Sequence, residues 1–307
     1  MGLLSTALKM AASADSPSDR PDTGVPPALT GSGPTEAGGA DPLAPNLGLA
    51  NAQDSSDRPL APESPAATIP AAGIDERLEV MHQSSGPVAE QFRAIRTSIL
   101  ARWRNQRHIV HAFTSAQGQE GKTLTVLNLG LSFAELSDRR TLILEADFRR
   151  PRFASFLGLP AGPGLVDLLG QSATLAQTVV TLADTRLDVI PAGRIASHKA
   201  LRVLSSPAAA ALLGELRRRY DHVLIDTPAV LPCADAGVLG AASDEVILVA
   251  RLDQTPEATV RQAIATLAGY NAPVSGLIVT DHALAMPIFR ISSEITADAA
   301  AQEKDAA

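Results

Sequence analysis

Cysteine, aromatic side chains and long apolar runs are what this chain has least of. One cysteine, Cys233, in 307 residues excludes an internal disulfide framework and fits a reducing compartment. Aromatics make up only 3% of the chain, against an ordinary apolar fraction of 45%. No stretch approaches the roughly 18 uncharged apolar residues that a membrane span needs, so nothing here is expected to cross a bilayer by itself. The opening MGLLSTALKM has one lysine and a short apolar run, too little for a signal peptide. A basic footprint for nucleic acid is missing as well. The chain carries 26 basic and 33 acidic residues, and residues 71–293 balance at +1, so no nucleic-acid partner is expected.

The charge and the order are unevenly spread. Residues 1–70 hold 11 Pro and 7 Gly, with 8 acids, 3 bases and no aromatic residue. Such a stretch cannot recover the entropy of ordering by apolar burial, and residues 11–70 read as disordered. Residues 2–10 have the pattern of a short amphipathic helix, for which a frayed terminus is the plainer reading. Three parts are expected: a disordered Pro/Ala/Ser-rich extension over 1–75, an ordered domain over 76–293, and a flexible acidic tail over 294–307.

Within the ordered part, Val88, Phe92, Ile95, Ile99 and Trp103 recur at steps of four, three, four and four, one face of a helix. From Ile109 the pattern changes. HIVHAFTS, TLILEAD, LDVIPA, DHVLID, EVILVAR and PVSGLIVT read as strands, several apolar almost throughout. Helical patterns lie among them at 121–137, 151–157, 163–170, 207–219, 234–241 and 256–269. Strands alternating with helices predict an α/β fold, a mostly parallel sheet covered by helices on both faces.

The informative stretch is HIVHAFTSAQGQEGKTLTVLNLG, a strand running into a loop, then Gly121-Lys122-Thr123, then a helix. That context marks a phosphate-binding loop. Gly118 and Gly121 let the backbone turn its N–H groups inward, and the following helix adds unpaired N–H groups and its dipole. Lys122 supplies a mobile positive charge for the β- and γ-phosphates, and Thr123 a hydroxyl for Mg2+. The nucleotide-binding run is Gly118, Gln119, Glu120, Gly121, Lys122, Thr123 and Leu124. Ala116 stands where the usual first glycine would, harmless if its φ is negative. Two acidic strand ends follow. In TLILEADFRRPR, Glu145 and Asp147 are two apart and are expected at the same sheet edge, where parallel sheets place ligands. Glu145 suits tight geometry less well, its extra methylene moving the carboxylate by about an ångström. In YDHVLIDTP, Asp226 ends an apolar run, the position of a carboxylate that holds the Mg2+ shell. Asp235 reads as a helix cap. The loop and the two strand ends, in that order, point to nucleotide binding, with ATP preferred because no guanine-reading Lys-x-Asp segment follows a strand.

These residues carry a resemblance. Segments 116–123, 142–151 and 222–228, with LDVIPAG and LSSPAAAALLGELRRRYD, resemble the bacterial tyrosine kinases, cytoplasmic partners of polysaccharide co-polymerases. The resemblance covers residues 86–281 and implies a P-loop NTPase fold related to MinD and ParA. It implies Lys122 and Thr123 as Walker A lysine and Mg2+ ligand, Asp147 as the second acid of a DxD motif, and Asp226 as the Walker B acid. The expected catalytic set is therefore Lys122, Asp147 and Glu145, and the metal set Thr123, Asp226 and Asp147. Glu90, Arg93 and Arg96 match an E-x-x-R-x-x-R motif, which implies an interface in a homo-oligomer. The implied function is an ATP-binding regulator of exopolysaccharide or capsule synthesis. It would act as ATPase or tyrosine kinase with an integral-membrane co-polymerase, at the inner face of the cell membrane.

Two departures qualify the match. Glu145 replaces the first Asp of the DxD, which bears on the rate of phosphoryl transfer. The only tyrosines are Tyr220 and Tyr270, neither in the tail from Asp281 onward, so phosphorylation of the chain's own tail is not expected. A positioning ATPase of the MinD or ParA kind is the alternative, but its signature lysine is replaced by Gln117. A nucleotide-gated scaffold without turnover is a third reading. Smaller signals read blandly: His108 and His111 as core-edge histidines, Cys233 as a small buried residue. Arg139, Arg140, Arg149, Arg150 and Arg152 read as one basic patch.

Overall fold

The computed structural model describes residues 67–70, 73–104, 106–280 and the backbone of 288–291. Elements run β1 (Ala67–Ile69), α1 (Glu79–His82), α2 (Pro87–Arg102), β2 (Ile109–Ser115), α3 (Lys122–Ala134), β3 (Thr141–Glu145) and α4 (Phe153–Leu157). There follow α5 (Leu165–Leu169), α6 (Leu175–Thr178), β4 (Val180–Leu182), β5 (Leu187–Ile190), α7 (Ala200–Leu204) and α8 (Pro207–Arg219). The chain continues through β6 (His222–Asp226), α9 (Asp235–Ala241), β7 (Glu245–Arg251), α10 (Glu257–Gly269), β8 (Val274–Thr280) and β9 (Ile288–Ile291).

The strands form one sheet of order β1-β4-β5-β3-β6-β2-β7-β8-β9. Pairing is parallel except at β4 with β5 and β8 with β9. The parallel block β5-β3-β6-β2-β7-β8 therefore brings the carboxyl ends Ser115, Glu145, Asp226, Arg251 and Thr280 to one edge, which is where the site forms.

Alternation along the strands builds two faces. Ile143, Phe113, Leu224 and Ile247 go under α2 and α3, while Leu142, Leu144, Val223 and Ile225 go under α5, α7 and α8. A third cluster joins Ala112, Val246 and Leu248 to Val260, Ile264 and Leu267 of α10. Each such buried aliphatic side chain stabilises the fold by about 1.5–3 kcal/mol relative to exposure. Helix α2 begins on Pro87 at its first position, where the missing N–H costs nothing, and buries Val88, Phe92, Ile95 and Ile99 as their spacing predicts. It stops at Arg102, with Trp103 as the cap rather than a further helical residue.

The ordered chain starts earlier than composition suggests. Ala67–Ile69, inside the span read as disordered, pairs in parallel with Val180–Leu182 and buries Ile69. Ile74 and Leu78 then enter the core around α2 and α3. Backbone pairing to β4, together with two aliphatic anchors, orders a segment whose neighbours in sequence are Pro, Ala and Gly. At the other end β9 pairs with β8, within the stretch read as a tail from Asp281. The rest of 1–66, with the helix reading at 2–10, and the tail over 294–307 lie outside the described residues.

Candidate nucleotide site

Strand β2 is buried along its whole length and delivers Ser115 to the sheet edge. Gly121, at φ +84, turns the chain into α3, a left-handed conformation that an L side chain resists. Gln119 is also left-handed at φ +71, whereas Ala116 and Gly118 are not, so Ala116 sits in the loop without strain. The loop is held from behind. Ser115 Oγ donates to the Gln117 carbonyl at 2.7 Å, and the Gln117 N–H donates to Glu120 Oε2 at 2.9 Å. Thr255 Oγ1 donates to Glu120 Oε1 at 2.5 Å, and Thr280 Oγ1 donates to the Glu120 carbonyl at 3.0 Å. Burial pushes the Glu120 carboxyl up, against these donors. Its side chain is thus a brace for the loop, a role with no local sequence signal because Thr255 lies far along the chain.

At the head of α3, Lys122 Nζ donates to Asp226 Oδ1 at 2.5 Å and stands 3.8 Å from Asp147 Oδ2. Thr123 Oγ1 donates to Asp226 Oδ2 at 2.8 Å. Asp226 is fully buried, which pushes its carboxyl up, while the Lys122 charge pulls it back. Asp147 lies beyond the end of β3, where its Oδ1 accepts the N–H groups of Arg149 and Arg150 at 3.2 and 3.0 Å. Lys122, Thr123, Asp147 and Asp226 therefore converge, and Gly118 to Leu124 line the same cavity of about 540 Å³ with Arg150, Phe156 and Phe92.

Glu145 does not join them. Its Oε1 accepts the N–H groups of Arg152 and Phe153 at 2.5 and 2.8 Å, and its Oε2 that of Ala192 at 2.9 Å. It tethers the start of α4 and the chain beyond β5, and burial pushes its carboxyl up to about 7. Glu145 and Asp147 share the carboxyl edge of the sheet as expected, but β3 ends at Glu145, so strand alternation does not carry both side chains into the site.

Other expectations are revised in the same way. Asp235 is the first residue of α9 rather than its cap, and binds Arg149 through both oxygens at 2.8 and 3.3 Å. The arginine patch divides: Arg149, Arg150 and Arg152 flank the site, whereas Arg140 sits at the opposite sheet edge, donating to the Arg219 carbonyl at 2.7 Å. His111 is fully buried, sharing hydrogen bonds with Glu245 at 2.7 Å and His222 at 3.2 Å. Cys233 is half-buried, its Sγ against the Ala229 carbonyl. Glu90, Arg93 and Arg96 lie along α2, whose Val88 and Phe92 line the cavity, but are not themselves among its lining residues. Arg93 bridges Glu90 and Glu135, and Arg96 binds Glu135 at 2.9 Å and the Ser132 carbonyl. Tyr220 is buried, its hydroxyl donating to Asp188 at 2.9 Å, whereas the Tyr270 ring is exposed at the end of α10, beside Gly237. Among the described residues no helix is long and apolar enough to cross a membrane.

The loop that leads from a buried parallel strand into α3, with an acidic strand end beside it, is the P-loop NTPase arrangement, and comparison with known proteins narrows it. No family model matches the chain. Tyrosine-protein kinase YwqD of Bacillus subtilis is 32% identical over 191 residues, covering 62% of this chain and 80% of that protein. Putative tyrosine-protein kinase EpsB of Ralstonia solanacearum is 30% identical over 192 residues, and this chain spans only a quarter of its length. The crystal structure of the VpsO kinase domain superposes with a TM-score of 0.56 at 34% identity, over 61% of this chain and 93% of that one. With a parallel sheet flanked by helices and most of a tyrosine kinase matched at this identity, the chain belongs to the bacterial tyrosine-kinase family.

Proposed function

We propose that the chain is the MgATP-binding partner of an integral-membrane polysaccharide co-polymerase, regulating exopolysaccharide or capsule synthesis from the inner face of the membrane. The observation that carries the reading is the convergence of Lys122 and Thr123 on buried Asp226 at the head of α3. An ammonium, a hydroxyl and two carboxylates beside a glycine-containing loop that lines the cavity are the donor set that a metal-bound polyphosphate requires. Thr123, Asp226 and Asp147 would hold Mg2+. The loop from Gly118 to Leu124 would hold the phosphates with Lys122. Bound Mg2+ offsets negative charge on phosphate oxygens.

The chain's own groups do the rest. Lys122 is already bound to Asp226 and needs only a shift of its flexible stem to share its charge with a phosphate. Asp147 has one oxygen fixed by two backbone N–H groups, which orients the other towards Lys122 and the cavity. It is the carboxylate best disposed to orient an attacking hydroxyl, whether of water or of a protein side chain. Tyr220 is not that acceptor: its hydroxyl is tied to Asp188, and burial with that neighbouring charge pushes it well above the usual phenol range. Glu90, Arg93 and Arg96 are proposed as the contact between copies, with Glu135 of the same chain presenting the two arginines.

Calorimetric titration of the full chain with MgATP tests the reading, against Lys122→Met as the comparison. Binding by the parent and loss in the folded variant are expected; equal affinity refutes it. Phosphate release and phosphotyrosine mapping, with and without the co-polymerase's cytoplasmic segment, then separate hydrolysis from transfer to a partner. Near-stoichiometric modification of Tyr220 would overturn its exclusion as acceptor.

A further inference from the structure

Arg149 and Arg150 both donate their backbone N–H groups to the same oxygen of Asp147, and that turn sends their side chains apart. Arg149 is neutralised by Asp235. Arg150 has no carboxylate partner among the described residues. Its Nη1 lies 3.2 Å from where a β-carbon on Gly118 would stand, so the guanidinium rests directly on the phosphate loop. Gly118 has no positive φ, and its lack of a side chain serves this close approach rather than a turn. The loop brings no cation of its own before Lys122, since Gln117 and Gln119 are neutral and Glu120 is turned to Thr255. Lys122 in turn is committed to Asp226.

An uncommitted, always-charged guanidinium held over a cradle of amides lacks only an anion, and its planar fork suits phosphate oxygens. We propose that Arg150 grips the terminal phosphate of the bound nucleoside triphosphate and so makes this site prefer triphosphate to diphosphate. The assignment rests on the reading of the cavity as a nucleotide site. The terminal rather than the inner phosphate follows from placement. Lys122 and Thr123 occupy the helix end of the loop, whereas Gly118 lies four residues upstream of Lys122. Arg150 hangs from the turn of Asp147, whose other oxygen stands 3.8 Å from Lys122 Nζ, and Arg150 and Asp147 both line the cavity. Arg150 is thereby tied to the carboxylate proposed to orient the acceptor hydroxyl, which places it with the phosphate that the hydroxyl would attack.

The test compares MgATP and MgADP affinities of the full chain in the parent, Arg150→Ala and Arg150→Lys. A charge-assisted hydrogen bond to phosphate predicts a loss of about tenfold or more in MgATP affinity for R150A, with MgADP changed by less than about twofold. R150K recovers part of the loss, because charge returns without the fork. Equal losses for both nucleotides, or none for either, overturn the role of Arg150 while leaving the nucleotide site intact. A parent chain that binds neither nucleotide refutes the site itself, and Arg150's role with it.

Discussion

Lys122→Met separates what stabilises the loop from what the loop binds. Lys122 is 7% exposed, and its ammonium is 2.5 Å from the carboxylate of Asp226, which has no exposed surface. Methionine keeps the apolar stem and removes the charge. Asp226 would then be a buried carboxylate with the Thr123 hydroxyl as its one remaining side-chain donor. Breaking a buried pair from one side costs about 3–5 kcal/mol, because the surviving charge is left uncompensated. A carboxylate escapes that cost by taking a proton. Burial already pushes Asp226 up, and losing the Lys122 charge pushes it further.

The sign follows from linkage. A carboxyl group whose folded pKa is raised contributes stability below its unfolded pKa and loses that contribution as pH climbs through the folded value. The deficit of Lys122→Met against the parent is therefore smallest at low pH and widens as pH rises, towards about 3–5 kcal/mol at high pH. Urea unfolding without nucleotide at a low and a high pH measures it. Adding Asp226→Asn to Lys122→Met removes the stranded charge and should recover most of the deficit at the higher pH, without restoring MgATP binding. A deficit that is the same at both pH values, or that Asp226→Asn leaves unchanged, would refute the argument and assign the loss to packing.

Three further outcomes follow from the packing and charge around the site. Glu145 rises from 4.5 to about 7 on folding, so stability should fall by about 3 kcal/mol as pH passes through that window, and E145Q should flatten the slope in paired urea titrations. A β-carbon on Gly130 would stand 2.2 Å from Ile143 Cδ1, so Gly130→Ala should cost about 1–3 kcal/mol, and adding Ile143→Val, which deletes that methyl, should return part of it. Arg93→Ala with Arg96→Ala should reduce nucleotide-dependent assembly in sedimentation runs, and Glu135→Ala, which loosens both arginines without removing them, should reduce it less; equal loss in both would make the arginines' contact with Glu135 their only role.

How far the residues alone reveal this molecule depends on the range of the interaction that decides each feature. Strands buried on both faces announce themselves as apolar runs, and six of them, β2, β3, β5, β6, β7 and β8, are legible for that reason. β1, β4, α1 and α6 have three or four residues each, too few to show a period, and depend on pairing or packing with distant segments. The phosphate loop is legible because Gly121, Lys122 and Thr123 are adjacent in sequence, and Asp226 because it ends an apolar run. Glu145 is misread because strand alternation was extended one step past the end of β3.

The arginines make the same point at closer range. Asp235 lies 86 residues along the chain from Arg149, and no local pattern couples them. Read alone, Asp235 looks like a helix cap and Arg149 and Arg150 like part of one basic patch. Their contact changes what both arginines are for: with Arg149 held by both oxygens of Asp235, the turn at Asp147 leaves Arg150 as the side chain directed over Gly118. A buried carboxylate outside the phosphate loop thereby decides which of two adjacent cations faces it. Asp235→Asn should weaken the hold on Arg149 and let the two guanidinium groups compete for the cavity. Its effect on MgATP affinity should then largely disappear in an Arg150→Ala background, which a pair of calorimetric titrations can read. Independent, additive effects of the two substitutions would show that Asp235 stabilises α9 and nothing more.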